Sequence, residues 1–189
     1  MFASEEMLPF GQGREQGFYF IHQGFVKLSF AYENVIRPID ILEAGDIVGQ
    51  LFENPSLGLL AKAVDFADVQ YIRIKEFNAL AARAPELDNL VTAHSQKTLL
   101  KALQRAVVLQ LPDLRARVAG TLMTLSREES QILPPIDRTT FADLAATVSD
   151  SASRIISEFD SQGLIIREGK RVRILKRKKL AEKLNLSKK

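Results

Sequence analysis

Eleven lysines and arginines crowd residues 167–189 beside only two acidic residues, a net charge of +9. Such a cluster draws polyanions, because each phosphate it neutralises releases condensed counterions. Residues 1–112 carry 10 basic and 13 acidic side chains, and residues 113–166 carry 5 and 8, so both are mildly acidic. The overall +3 therefore sums an acidic body and a basic end. Other chemistry is scarce. With no cysteine there is no disulfide, thiolate metal site, cysteine-held cluster or thiol nucleophile. His22 and His94 are the only imidazoles, and the carboxylates are scattered without a recognisable triad or P-loop. The expectation is no catalysis, no metal and no cofactor. A run such as Lys176-Arg177-Lys178-Lys179 also suits a solubilising tail, so the neighbouring elements must decide.

Those elements begin at Asp137. Residues 137–146 read as a short helix from an Asp or Thr cap, with Phe141, Leu144 and Ala145 as its apolar face. Thr147-Val148 interrupts it. A second helix follows over 149–160, with Ser149 as its cap and Ala152, Ile155, Ile156 and Phe159 buried. Small Ala142 lets the two helices cross closely, and Gly163 ends the second. This spacing fits a helix-turn-helix, whose second helix enters the major groove of DNA. Leu164 to Arg167 and Arg171 to Leu175, around Glu168-Gly169-Lys170, make a hairpin. This wing bears Arg167, Lys170, Arg171 and Arg173.

Upstream, residues 17–74 read as strands. Gly17 to Gly24, Phe25 to Phe30, Val35 to Leu42, Ala61 to Val64 and Val69 to Ile74 are short apolar or alternating runs. Pro38 suits an edge or bulge. Ala44-Gly45-Asp46 and Glu53-Asn54-Pro55-Ser56 are turn clusters. Close strand spacing argues for a sandwich or barrel. Lys75 to Ala84 is a short helix, and Glu86 to Gln110 a long one. One face of the long helix carries Leu87, Leu90/Val91, His94, Thr98, Ala102, Arg105 and Leu109; another carries Leu99, Leu100, Leu103 and Val107. Two apolar faces imply two partners, the chain's own β domain and a second copy of the helix. Pro112 breaks the helix, Asp113 caps the next, and Leu114 to Ser126 is helical. Apolar stretches such as Ala106 to Leu111 fall far short of a membrane span, and no signal peptide is read at the start. A cytoplasmic protein without membrane contact is expected.

Gly17 to Leu28, Gly45-Asp46-Ile47-Val48-Gly49-Gln50-Leu51, and Ala145 through Arg154 with Leu164-Ile165 resemble the CRP/FNR superfamily of bacterial transcription regulators. The resemblance covers roughly residues 7–175. It implies an α+β fold: an N-terminal, jelly-roll-like β-roll of the cyclic-nucleotide-binding type, a long dimerisation helix, and a C-terminal winged helix-turn-helix. The expected segments are 1–84 for the β-roll, 85–111 for the dimerisation helix and 112–189 for the DNA-binding domain with its basic tail. The implied partners are double-stranded DNA, a second copy through residues 86–110, and RNA polymerase.

The resemblance also assigns roles. Arg154 matches a common family arginine and suits bidentate contact with guanine. Where the family often has Arg-Glu, this chain has Ser149-Asp150, and with Ser153 these are short readers that leave specificity leaning on DNA shape. Thr139, Thr140, Ser151, Lys170 and Arg171 suit phosphate contacts. Ala146 replaces a usual glycine near the turn. The ligand pocket reads as degenerate at Gly49, Gln50, Leu51, Leu57 and Gly58. Gln50 stands where cyclic-AMP-binding members have Glu, and Leu57-Gly58 where they have Arg-Ser or Arg-Thr. No arginine lies between Arg37 and Arg73. A buried cyclic phosphate would lose its charge-assisted partner, so no cyclic-AMP response is expected. His22 or His94 as a haem ligand is outweighed by a structural role. The rival reading is a scaffold or interaction protein that kept this fold without reading DNA.

Overall fold

Alternating apolar residues from Gly17 onward produce longer strands than their interruptions suggest. The computed structural model describes residues 1–9, 16–49, 58–126, 131–169 and 171–184. It divides into two compact units, Met1–Thr98 and Leu99–Lys189. The first contains β1 (Met7–Leu8), β2 (Gly17–Tyr32), β3 (Val35–Glu43), β4 (Ile47–Gly49), β5 (Gly58–Arg73) and α1 (Ile74–Ala81). Helix α2 (Glu86–Leu109) begins in it and runs on into the second.

The five strands form one antiparallel sheet in the order β1-β5-β2-β3, with β4 also paired to β2. One edge of β2 pairs with β5 along almost its whole length. The other takes β4 opposite Phe18 to Phe20 and β3 opposite Phe25 to Tyr32. Two expectations need correction. Gly17–Gly24 and Phe25–Phe30 are one bent strand, as are Ala61–Val64 and Val69–Arg73, while Ile74 opens α1 instead of ending a strand. The sheet absorbs the interruptions as register shifts at Ile21/Gln23 and Gly24/Val26. Gly24 permits this with φ +90°, and a Cβ there would lie 1.8 Å from the Phe66 carbonyl oxygen. Pro38 does occupy the edge strand, opposite Ser29 beside a further register shift. Leu8, Tyr19, Ile21, Val26, Leu42, Val48, Ala61, Ala63 and Ala67 form the core of this unit. The turn cluster 53–56 lies outside the described residues.

The second unit follows the break at Pro112. Asp113 caps α3 (Leu114–Leu125), its Oδ1 accepting the Arg115 N–H at 3.2 Å. Nearly every turn of α3 is buried, including Ala116, Val118, Ala119, Leu122 and Leu125. Gly120 lets neighbours approach closely: a Cβ there would lie 2.6 Å from Val108 Cγ2 and 3.2 Å from Leu184 Cδ2. The unit continues with α4 (Arg138–Leu144), α5 (Ser149–Ser161), β6 (Ile165–Glu168), β7 (Arg171–Ile174) and α6 (Arg177–Glu182). Helix α6 corrects the view of the basic end as tail alone. Leu180 is fully buried, and Arg177 donates from Nη1 to Ser126 Oγ at 2.8 Å and from Nη2 to the Met123 carbonyl at 3.1 Å. None of the described helices is long and apolar enough to cross a membrane.

Candidate nucleic-acid interface

The turn between α4 and α5 is built from backbone hydrogen bonds. Asp137 caps α4, its Oδ1 accepting the Thr140 N–H at 2.8 Å and its Oδ2 the Thr140 hydroxyl at 2.6 Å. Thr140 is thereby 6% exposed and committed to the cap, which corrects its reading as a phosphate contact. Thr139 is exposed. At the other end, Ala146 N–H donates to the Asp143 carbonyl at 3.0 Å and Thr147 N–H to that of Ala142 at 2.9 Å. This is a Schellman closure with Ala146 at its left-handed position, φ +49°. The usual geometry is thus kept without the glycine.

That conformation strains an L-residue by about 1–2 kcal/mol, partly offset by the extra unfolded-state freedom of glycine. Ala146→Gly is accordingly expected to stabilise the second unit by about 0.5–1 kcal/mol. Urea unfolding followed by circular dichroism checks this, and a lowered midpoint would contradict it.

Helix α5 starts one residue earlier than expected. Val148 holds the N-cap and makes no side-chain cap hydrogen bond, so Ser149 falls in the first turn instead of capping. Ala152, Ile155 and Phe159 are buried and Ile156 is half-buried. Asp150, Arg154, Ser157 and Ser161 recur at helical spacing on the exposed side, with Ser149, Ser151 and Ser153 half-buried. Arg154 has no ion pair among the described residues. Gly163, at φ +62°, closes the helix, with its N–H on the Asp160 carbonyl at 2.9 Å and that of Leu164 on Phe159 at 3.0 Å. Leu164 and Phe159 hold the two positions whose apolar contact commonly accompanies this closure, and both are buried.

The wing is less freely cationic than its composition. Arg167 Nε donates to Asp160 Oδ2 at 2.9 Å. Arg173 holds both Glu168 oxygens, at 3.0 and 3.1 Å. Both guanidiniums, expected to face a polyanion, are answered by carboxylates. Arg171 is exposed, while Lys170, between paired Glu168 and Arg171, lies outside the described residues. From Leu114 onward, the exposed cations without an ion pair among the described residues are Arg138, Arg154, Arg171, Lys176, Lys178 and Lys179.

Arg117 carries a role that the sequence does not mark. Its Nη1 donates to the carbonyls of Leu111 at 2.9 Å and Pro112 at 3.2 Å, and its Nε to that of Ala145 at 3.4 Å. One guanidinium ties the break after α2 to the turn before α5. No pattern of residue types signals this, because its acceptors are backbone carbonyls.

In the β unit, Gly49 and Gly58 are packed against backbone: a Cβ would lie 2.5 Å from Phe18 Cα and 2.5 Å from the Ala31 oxygen, respectively. Gln50, Leu51 and Leu57 lie outside the described residues. His22 Nε2 lies 3.1 Å from Gln70 Oε1, and His94 Nε2 accepts the Ile47 N–H at 3.3 Å. Both histidines thus have protein partners.

Residues 116–183 match the Crp-like helix-turn-helix domain. That match lies within the second unit, and the chain as a whole shares its fold with several solved structures. FixK2 from Bradyrhizobium japonicum superposes with a TM-score of 0.78 at 18% identity, over 96% of this chain and 93% of that one. A CooA variant from Carboxydothermus hydrogenoformans gives 0.75 at 19% identity, over 96% and 84%. TTHB099, a CRP-family transcriptional regulator from Thermus thermophilus, gives 0.70 at 22% identity, over 97% and 95%. No curated protein sequence matches the chain.

Proposed function

We propose that this chain is a sequence-specific DNA-binding transcription regulator that acts as a homodimer in the cytoplasm and does not respond to cyclic AMP. The observation that carries the proposal is the exposed face of α5, where Arg154 has no carboxylate partner among the described residues, in a domain of the Crp-like helix-turn-helix family. Asp150, Ser149, Ser153 and Ser157 beside it are short enough to let the helix sit deep in a major groove. Thr139, Ser151, Lys170 and Arg171 are assigned to phosphates.

Dimerisation is assigned to residues 86–110, within a division of labour that gives 1–84 to the sensor-like β domain and 112–189 to DNA. Its support is an apolar stripe on α2, where Leu99, Leu100, Leu103 and Val107 are 61%, 57%, 55% and 51% exposed in the single chain. Spacings of three and four residues place them on one seam, which a second copy would cover. Two recognition helices held by such a dimer would fall about one DNA turn apart. RNA polymerase is the further partner proposed. The cyclic-nucleotide route is argued against by Gln50 and by the lack of any arginine between Arg37 and Arg73.

Arg154→Ala is expected to reduce binding to the chain's own operator by about 1–3 kcal/mol while leaving random duplex nearly unchanged. Competition titrations measure both affinities. The scaffold reading draws on Ser149 standing in place of a base-reading arginine and on the withdrawal of Thr140 into a cap. Salt dependence separates the two. A DNA binder loses affinity steeply as salt rises, with a linear negative slope of log K on log salt, whereas a scaffold shows neither binding nor slope.

A further inference from the structure

The turn that leads into α5 ends in a residue poorly suited to its place. Helix N-caps favour Ser, Thr, Asp or Asn, whose side-chain oxygen accepts an N–H of the first turn, and Val is among the poorest choices. Val148 nevertheless occupies this N-cap, at φ −96° and ψ 152°, with no side-chain cap hydrogen bond. Its isopropyl group is 66% exposed, more than any other large apolar side chain from Leu114 onward among the described residues. It therefore contributes little to the core of the unit and supplies nothing to the cap. It stands immediately before Ser149 and Asp150, at the N-terminal end of α5, which is the end that meets base edges in helix-turn-helix proteins.

We propose that Val148 is a specificity-determining residue whose isopropyl group packs on the 5-methyl group of a thymine. The assignment rests on α5 being the recognition helix. Thymine presents the one apolar group among the major-groove edges, and an apolar side chain finds no partner on phosphates or on the other bases. Its neighbours on the exposed face are Asp150 and Arg154, which read polar edges and carry no compact apolar surface. A β-branched side chain suits the role because its χ1 is already restricted before binding. The helix gives up a capping oxygen at this position in exchange for an apolar reader.

The test uses the full chain and the duplex it enriches from a random pool. Each thymine of a half-site is replaced in turn by deoxyuridine, which removes only the methyl group. At one position per half-site the wild-type protein is expected to lose about fourfold in affinity, the change equivalent to about 0.8 kcal/mol for one buried carbon group. Val148→Ser should bind the thymine and deoxyuridine duplexes equally. Because serine restores a capping oxygen, that variant should also melt several degrees higher, which separates lost recognition from lost folding. A flat deoxyuridine scan, an enriched half-site without thymine, or discrimination that survives in Val148→Ser would overturn the assignment. Failure to enrich any sequence would instead remove the reading of α5 as a recognition helix, and this assignment with it.

Discussion

Leu103→Glu is expected to leave the chain folded but monomeric, with its affinity for a two-half-site operator lowered by about 10²–10⁴-fold. Leu103 is 55% exposed, so the single chain loses little packing when it changes. In a two-fold seam the new carboxylate would face its own copy, and an unpaired buried charge is costly. Without the seam each half-site is bound independently, and the effective concentration that joins them is lost. Sedimentation equilibrium reports the monomer, and titration of an intact against a half operator reports the lost linkage. A variant that stays dimeric would move the dimer surface away from this stripe.

Phe159→Ala carries the largest stability effect expected of a single change, about 3–5 kcal/mol. Phe159 is fully buried, and its carbonyl accepts the Leu164 N–H that closes α5. Removing the ring leaves a cavity on the inner face of the helix beside its C-terminal closure. Domains of this size have only about 5–15 kcal/mol to lose, so DNA binding should fail near ambient temperature through unfolding of the second unit. Urea unfolding monitored by circular dichroism measures the loss. A change under about 1.5 kcal/mol, the usual figure for a volume-conserving swap, would show that the ring is not the packing centre.

Periodic patterns set what can be read from the sequence. Helix α2, the α4–α5 pair and the β6–β7 hairpin each carry a repeated apolar spacing bounded by Pro112, Gly163 or Gly169, and the structure places them within a few residues of expectation. The strands are harder. Gly24 ends the first of two runs that read as separate strands, whereas here it sits at a bulge inside β2, in close approach to Phe66. Helix α6 is hidden by its charge: Leu180 is the single buried residue in six, too few for a period to show.

The site is legible in position but not in partnership. Arg154 lies on the exposed face of α5, as its spacing from Ala152 and Ile155 requires. Arg167 and Arg173 look equivalent to Arg171 as charges. Their carboxylate partners lie seven and five positions away: Asp160 meets Arg167 only when α5 and the wing fold together, and Glu168 meets Arg173 only across the paired strands of the hairpin. Thr140 reads as a phosphate contact because a hydroxyl in a first turn can serve either a cap or a ligand. The Asp137 side chain decides for the cap. Val148 and Ser149 differ by one residue in register, a distinction that apolar periodicity does not resolve.

The central claim is that a dimer reads DNA through α5, and selection of duplexes from a random pool tests it most directly. Wild-type protein should enrich an inverted repeat whose half-site centres are about 10–10.5 base pairs apart, with a guanine in each half that loses its preference in Arg154→Ala. Recovery of unrelated sequences, or of the same consensus by Arg154→Ala, would contradict it.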